Sequence, residues 1–190
     1  PLKAFLVTSC LFSASISAHA QQKVTATQIG SRIDVGIDGK FFTSYRFAAD
    51  EKYPFLFPVN GPSGASVTSM RNGEYPHHSS LFFGCDKVNG GNYWQEGLDR
   101  GRIASKGPVL ETSSGKEIVI HDTCDWMRPD APHPLRDTRR IVISAPSPQF
   151  RQIDFTITLE ALEDVVISKT NHSLFSARMD PCLLYTSDAA

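Results

Sequence analysis

Histidine is the side chain in this sequence best suited to proton transfer near neutral pH. His77 and His78 follow Pro76 and precede an apolar run, and His172 follows Asn171. Loops at sheet ends commonly carry binding sites, so we expect these histidines to contribute to one. Because adjacent side chains of an extended segment face opposite ways, we expect only one of His77 and His78 to point into a given pocket. That argues against both of them binding one metal.

Four neighbours of these histidines are candidates for ligand binding. Arg71 and Asn171 can form hydrogen bonds to hydroxyl groups, and Tyr93 and Trp94 can stack against sugar rings. Burial in a core is the ordinary alternative for the two aromatic residues.

Other chemistry has weaker signals. The sequence contains no phosphate-binding loop, CxxC or HExxH motif. The best local candidate for copper, His121 with Cys124, has a spacing that places the two side chains on opposite faces of a strand. We therefore predict no metal and no cofactor. Arg136, Arg139 and Arg140 could hold a carboxylate or phosphate, but a solvated strand face explains them as simply.

Composition narrows the class of protein. The chain has 190 residues, 41% of them hydrophobic and 21% charged, with a formal net charge of −1. It is too apolar for a disordered segment and too evenly charged for a non-specific nucleic-acid binder. Its length suits one domain.

The amino-terminal segment, residues 1–20, is predicted to be a secretory signal peptide. Lys3 precedes a short apolar run, and Ala18-His19-Ala20 is typical of a cleavage site, so we expect cleavage after Ala20. The run is too short to predict a membrane span. We therefore expect a periplasmic or secreted protein, with lipoprotein anchoring at Cys10 as a minor alternative.

The carboxyl-terminal string, residues 182–190, is expected to be a translated sequencing adaptor rather than native sequence. On that interpretation residues 21–181 are the amino-terminal part of a domain that is truncated at its carboxyl end. Cys85 and Cys124 remain in this part. In an exported protein they could pair, or both could be free and buried, and the sequence leaves these alternatives open.

Alternation of apolar and polar residues predicts an antiparallel all-β sandwich. Ile33, Val35 and Ile37 alternate with polar residues before an Asp38-Gly39 turn, and a return strand follows. Further strands are predicted at 54–59, 80–85, 117–121, 140–144, 153–159 and 165–170. No window gives a sustained helical pattern.

Thr170-Asn171-His172-Ser173-Leu174-Phe175 resembles the T-N-H-x-Y-F stretch of aldose 1-epimerases, the galactose mutarotases. The resemblance implies that His172 is the general acid that protonates the sugar ring oxygen. It also implies that His77 or His78 binds a sugar hydroxyl, and that the general base is a glutamate nearer the carboxyl end of the family fold. Leu174 stands where that family has tyrosine.

A second resemblance covers nearly all of residues 21–181. The stretches 75–84, 88–94, 101–103 and 170–175 together are similar to the "methane oxygenase PmoA" domain family of exported bacterial β-proteins. The resemblance implies a β-sandwich of the galactose-mutarotase type.

These observations predict an exported protein that binds a carbohydrate or polyol and acts on it by general acid–base chemistry. His172, His78 and His77 are the expected catalytic residues, and Arg71, Asn171, Trp94 and Tyr93 are expected to bind the substrate. A non-catalytic carbohydrate-binding module is the first alternative. A copper-dependent oxygenase, as the family name states, is the second and least favoured, because residues 21–181 contain no apolar run long enough to span a membrane.

Overall fold

A computed structural model describes residues 21–71, 73 and 75–184 of the chain. The predicted signal peptide at 1–20 and the part of the carboxyl-terminal string beyond residue 184 lie outside these residues. The described residues form thirteen strands: β1 (Val24–Ile29), β2 (Arg32–Ile37), β3 (Lys40–Arg46), β4 (Phe55–Val59), β5 (Leu81–Val88), β6 (Gly91–Asn92), β7 (Arg102–Ser105), β8 (Val109–Thr112), β9 (Ser114–Gly115), β10 (Glu117–Met127), β11 (Leu135–Ser147), β12 (Phe150–Ala161) and β13 (Ser173–Ala177). Two short helical segments are a 3₁₀ turn at Leu98–Arg100 and α1 (Pro181–Leu184).

The strands form two sheets. One has the order β13-β5-β4-β3-β2-β1-β9, with β6 paired to β5, and the other has the order β12-β11-β10-β7, with β8 paired to β10. The named strands pair antiparallel throughout. The prediction of an antiparallel all-β sandwich is therefore confirmed.

The local patterns account for most of these strands. The hairpin of β2 and β3 turns at Asp38 and Gly39, which both have positive φ (47° and 76°), as a two-residue turn of this hand requires. Along the first part of β12 exposed and half-buried residues alternate, as predicted from Ile153, Phe155 and Ile157.

The strand predicted at 165–170 is wrong. This segment forms only an isolated bridge between Ile167 and Val88. The side chain of Asn89 takes the place of a neighbouring strand: its Oδ1 accepts a hydrogen bond from the N–H of Val166 (2.7 Å), and its Nδ2 donates to the carbonyl oxygen of Asp164 (2.9 Å). The strand lies farther along, at β13, so His172 precedes a strand rather than following one.

The core has two parts. An aliphatic cluster joins the two sheets, with Ile33 and Val35 from one and Ile118 and Ile141 from the other. An aromatic cluster lies towards β5 and β7, and its buried members include Phe55, Phe82, Trp94, Tyr93 and Trp126.

A buried ion pair lies beside the aromatic cluster. Arg139 and Asp137 have fully buried side chains, and Asp137 accepts hydrogen bonds from Arg139 Nε (2.6 Å) and Nη2 (3.1 Å). The indole N–H of Trp126 donates to the same carboxylate (2.8 Å). The expectation of a solvated arginine face is therefore wrong for Arg139, although Arg140 is exposed as expected.

The cysteines of the core are not paired. Cys85 and Cys124 are both free and buried. Burial raises the pKa of the Cys85 thiol to about 11 and also raises the pKa of Cys124, so both stay protonated at neutral pH.

Asp137→Ala is expected to destabilise the fold strongly, because it leaves the guanidinium of Arg139 buried without a carboxylate. Loss of one partner of a buried pair costs about 3–5 kcal/mol of unfolding free energy. Arg140→Ala, on an exposed position of the same strand, should change it by less than about 0.5 kcal/mol. Denaturant unfolding followed by tryptophan fluorescence measures both, and similar midpoints for the two variants would contradict the assignment.

Candidate functional site

The pairing of β5 with β13 brings an acid and an imidazole together. Ser173 lies opposite Cys85, and the N–H of Asp86 donates to the carbonyl oxygen of His172 (3.2 Å). Nδ1 of His172 lies 3.3 Å from Oδ2 of Asp86. Because Nδ1 faces this carboxylate, Nε2 is the ring nitrogen left for a ligand.

The carboxylate of Asp86 is buried. Its side chain is 4% exposed, whereas that of His172 is 34% exposed. Oδ1 of Asp86 has no hydrogen-bond partner among the described residues. Buried polar atoms without partners are uncommon in folded proteins and often mark a functional position.

The turn before β13 fixes the position of His172. Thr170 Oγ1 accepts a hydrogen bond from the N–H of His172 (3.0 Å). Such side-chain bonds to the backbone stabilise turns at strand ends. Asn171, between these two residues, faces the same cavity as His172.

His77 and His78 lie in a second turn, and both line that cavity. The N–H of His78 donates to the carbonyl oxygen of Tyr75 (3.1 Å), so the chain curves here instead of running extended. The prediction that only one of the two imidazoles enters a given pocket is wrong for this reason. Their ring centroids are 4.4 Å apart, with the planes at 80°.

We call this space the histidine cavity. Its volume is about 380 Å³, and its wall combines three imidazoles with aromatic, amide and small side chains and one arginine. The lining residues are Tyr75, His77, His78, Phe82, Trp94, Gln95, Asn171, His172, Ser176, Ala177 and Arg178. A volume of this order is typical of pockets that take small organic ligands.

Trp94 forms the floor between the histidines. Its ring lies 4.7 Å from that of Phe82, 6.4 Å from that of His78 and 6.0 Å from that of His172, between centroids. The residue is only 4% exposed, and its indole Nε1 has no hydrogen-bond partner among the described residues. The aromatic cluster of the core therefore continues directly into the cavity wall.

The imidazoles influence one another electrostatically. Partial burial lowers the pKa of His77, and the charge of His172 lowers it further. Burial also lowers the pKa of His78, with contributions from His77, Arg178 and His172. As the pH falls through the ordinary histidine value, about 6.5, the unfolded chain takes up these protons first, so both groups make the folded state less stable. At neutral pH His77 and His78 are therefore uncharged and can accept hydrogen bonds.

Comparison with known proteins places the chain in a family. A family model described as "Family of unknown function (DUF6807)" matches residues 32–189, a range that includes the whole wall of the histidine cavity. The chain belongs to the DUF6807 family. No curated protein and no solved structure matches the chain.

Tyr93 does not reach the cavity of this DUF6807 member. It is fully buried, and its ring packs 5.0 Å from that of Trp126, between centroids. The chain bends after β6, where Asn92 Oδ1 accepts hydrogen bonds from the N–H groups of Trp94 (2.9 Å) and Gln95 (3.0 Å). Trp94 lines the cavity, whereas Tyr93 packs in the core.

Arg71 lines an adjoining cavity of about 370 Å³. Its guanidinium forms an ion pair with Glu51 and lies 5.5 Å from the ring centroid of Phe55. His77 and Trp94 belong to the walls of both cavities. The structure thus brings His77, His78, His172, Trp94 and Asn171 together and places Arg71 next to them.

Two further observations bear on the alternative functions. Within residues 21–71, 73 and 75–184, no group of three or more histidine, cysteine or acidic side chains is arranged to hold a metal ion. Among the same residues, no helix has the length and apolar character needed to cross a membrane.

Three residues of the site had no predicted role in ligand binding or catalysis: Asp86, Arg178 and Tyr75. Asp86 directly follows a predicted strand, but its proximity to His172 depends on which strand pairs with β5, and local patterns do not encode that. Arg178 follows β13, a strand that the sequence analysis placed too early. Tyr75 precedes Pro76, and only the turn of the chain stacks its ring on His78, with centroids 5.0 Å apart.

Arg178→Gln is expected to raise the pKa of His78, because it removes a positive charge that opposes protonation of that ring. The pKa of His77 should move less, since burial and His172 lower it and Arg178 does not. Imidazole resonances followed by NMR over a pH series report both values. Arg140→Gln is the matched control, and equal shifts of the two rings in Arg178→Gln would contradict this account.

Proposed function

We propose that this protein is an exported carbohydrate-active protein whose histidine cavity binds a sugar or related polyol. In this proposal His172 transfers a proton to and from the bound ligand. The observation that carries it is the placement of His172 beside buried Asp86, in one cavity with His77, His78 and Trp94. The resemblance to aldose 1-epimerases supports the same role for His172.

The composition of the wall suits a sugar. Phe82 and Trp94 are almost fully buried, 1% and 4% exposed, and give the inner wall an apolar edge that the C–H groups of a sugar can contact. Asn171, Gln95 and Ser176 offer amide and hydroxyl groups that both donate and accept, as sugar hydroxyl groups do. A pocket with apolar walls and a few polar groups fixes the orientation of such a ligand.

Asp86 supports proton transfer at His172. A carboxylate next to the inner nitrogen of an imidazole fixes the orientation of the ring and stabilises the imidazolium, which is the form that gives the proton. The outer nitrogen, Nε2, then exchanges the proton with a ligand oxygen. Asp86 is thus a positioning residue, and His172 is the group that touches the substrate.

The reaction proposed is interconversion of sugar anomers, which is balanced without an oxidant or reductant. In its imidazolium form His172 gives the Nε2 proton to the ring oxygen, the bond from that oxygen to C1 breaks, and the C1 hydroxyl becomes a carbonyl as it loses its proton. In the histidine cavity a neutral His77 or His78 imidazole is available to accept that proton. Ring closure on the other face of the carbonyl reverses these steps.

A non-catalytic binding module is the second candidate. The stacked pair of Tyr75 and His78 and the contact of Phe82 with Trp94 give the wall an aromatic character that sugar-binding sites share. This candidate predicts binding without any change in the rate of anomer exchange.

His172→Gln is expected to abolish most of the catalysis while leaving the aromatic wall in place. General acid–base catalysis typically contributes about 10²–10⁴-fold, so kcat should fall by that factor with little change in KM. Anomer exchange of a panel of freshly dissolved aldoses, followed by polarimetry and NMR, measures this. His121→Gln is the control, because His121 pairs with Glu111 on the other sheet and lines neither of the two cavities.

Asp86→Asn should lower kcat less than His172→Gln and displace the alkaline limb of the pH–rate profile to lower pH, because the neutral amide stabilises the imidazolium of His172 less than the carboxylate does. Exchange no faster than in buffer for every aldose would overturn the catalytic proposal. Sugar binding in that case would favour the binding module.

A further inference from the structure

The ionisable side chains that can carry a charge near neutral pH on the wall of the histidine cavity are all basic. Arg178 is its permanent cation, and His77, His78 and His172 can each become cations. No aspartate or glutamate is among the described residues of this wall. Asp86, which pairs with His172, is buried and is not part of this wall.

Arg178 is fixed in place without neutralisation of its charge. Its N–H donates to the carbonyl oxygen of Ser80 (2.6 Å), and its own carbonyl oxygen accepts from the N–H of Ser69 (3.0 Å). The guanidinium carbon lies 4.4 Å from the ring centroid of Tyr75. No carboxylate among the described residues forms an ion pair with it. A stacked, preorganised guanidinium of this kind is well suited to recognise a carboxylate.

The unsatisfied groups of the wall are donors. Trp94 Nε1 and Arg178 Nε are buried and have no hydrogen-bond partner among the described residues, and both can only donate. An ionised carboxylate can only accept. The wall therefore has an excess of N–H donors, which an ionised carboxylate complements.

The adjoining cavity differs in its charges. Its wall contains the acids Asp50, Glu51 and Glu96 as well as Lys52 and Arg71, and Arg71 is already paired with Glu51. An anion is thus favoured in the histidine cavity and opposed by fixed carboxylates in its neighbour.

We propose that the ligand of the histidine cavity is a sugar acid, a polyhydroxylated ligand whose carboxylate lies against Arg178 and the imidazoles. This inference rests on the proposed function and specifies its substrate class. A bound anion also offsets the charges of His77, Arg178 and His172 that oppose protonation of His78. Binding is therefore coupled to proton uptake at His78.

The direct test compares sugars that differ only at the acid group. Isothermal titration of the protein at pH 6 with glucose against glucuronate, galactose against galacturonate and mannose against mannuronate should give at least about tenfold tighter binding of a uronate than of its parent, as for a charge-assisted hydrogen bond. Uronate affinity should rise from pH 7.5 to pH 5.5, where the carboxylate stays ionised, and parent-sugar affinity should not.

The variant Arg178→Gln tests whether Arg178 is the residue that recognises the carboxylate. It should lower uronate affinity about tenfold and leave parent-sugar affinity within about twofold, while Arg140→Gln, an equal change of charge on an exposed strand position, leaves both unchanged. Thermal unfolding of each variant verifies its fold, and the comparison of sugar pairs on the unaltered protein does not depend on any variant.

The outcomes separate this inference from the proposed function. Parent sugars that bind as tightly as their uronates would overturn the sugar-acid inference and leave the proposed function standing. Tighter binding of glucose 6-phosphate than of glucuronate would also overturn it, because the anion recognised would then be a phosphate. Binding of no sugar, charged or neutral, would overturn the proposed function and the inference together.

Discussion

The antiparallel pairing of β5 with β13 is the constraint on which the site depends. It places His172 opposite Asp86 and carries Arg178 to the turn that holds His77 and His78. Residues about 90 positions apart in the chain thereby share one small cavity, and backbone hydrogen bonds of a sheet hold them. The chemistry is attributed to side chains, but a shift of this register by one residue would move His172 to the other face of the sheet.

The second requirement is a rigid floor under the cavity. Trp94 and Phe82 belong to the buried aromatic cluster and to the cavity wall at once, so the packing that stabilises the sandwich also positions the imidazoles around the indole. The buried pair of Arg139 and Asp137 lies on the other sheet and orients Trp126 in the same cluster. The net stability that such a pair contributes is small, since its desolvation offsets much of its attraction.

The class of fold and part of the site could be predicted from the sequence. Each feature that could not be predicted has its own physical reason. The alternation of apolar and polar residues predicted β2, β3 and β12, because one face of each strand meets the core and the other meets solvent. His172, His77 and Trp94 were predicted from the type of their side chains, since few residue types transfer protons or stack on a ligand. The segment 165–170 was predicted as a strand from its run of β-branched residues, but the amide of Asn89 takes the place of a strand neighbour there. Arg139 was predicted to be solvated because the sequence does not show that Asp137 is buried beside it as its ion-pair partner. Asp86 and Arg178 could not be found, since only long-range pairing joins them to the histidines.

Localisation of a bound ligand tests the central claim most directly. Long-range proton–nitrogen NMR resolves the ring nitrogens of each histidine while a sugar or sugar acid is added to the protein. The account predicts that Nε2 of His172 and the rings of His77 and His78 shift together, and that His121 and His133, which line neither of the two cavities, do not. Saturable binding that leaves all three cavity histidines unperturbed would contradict the account.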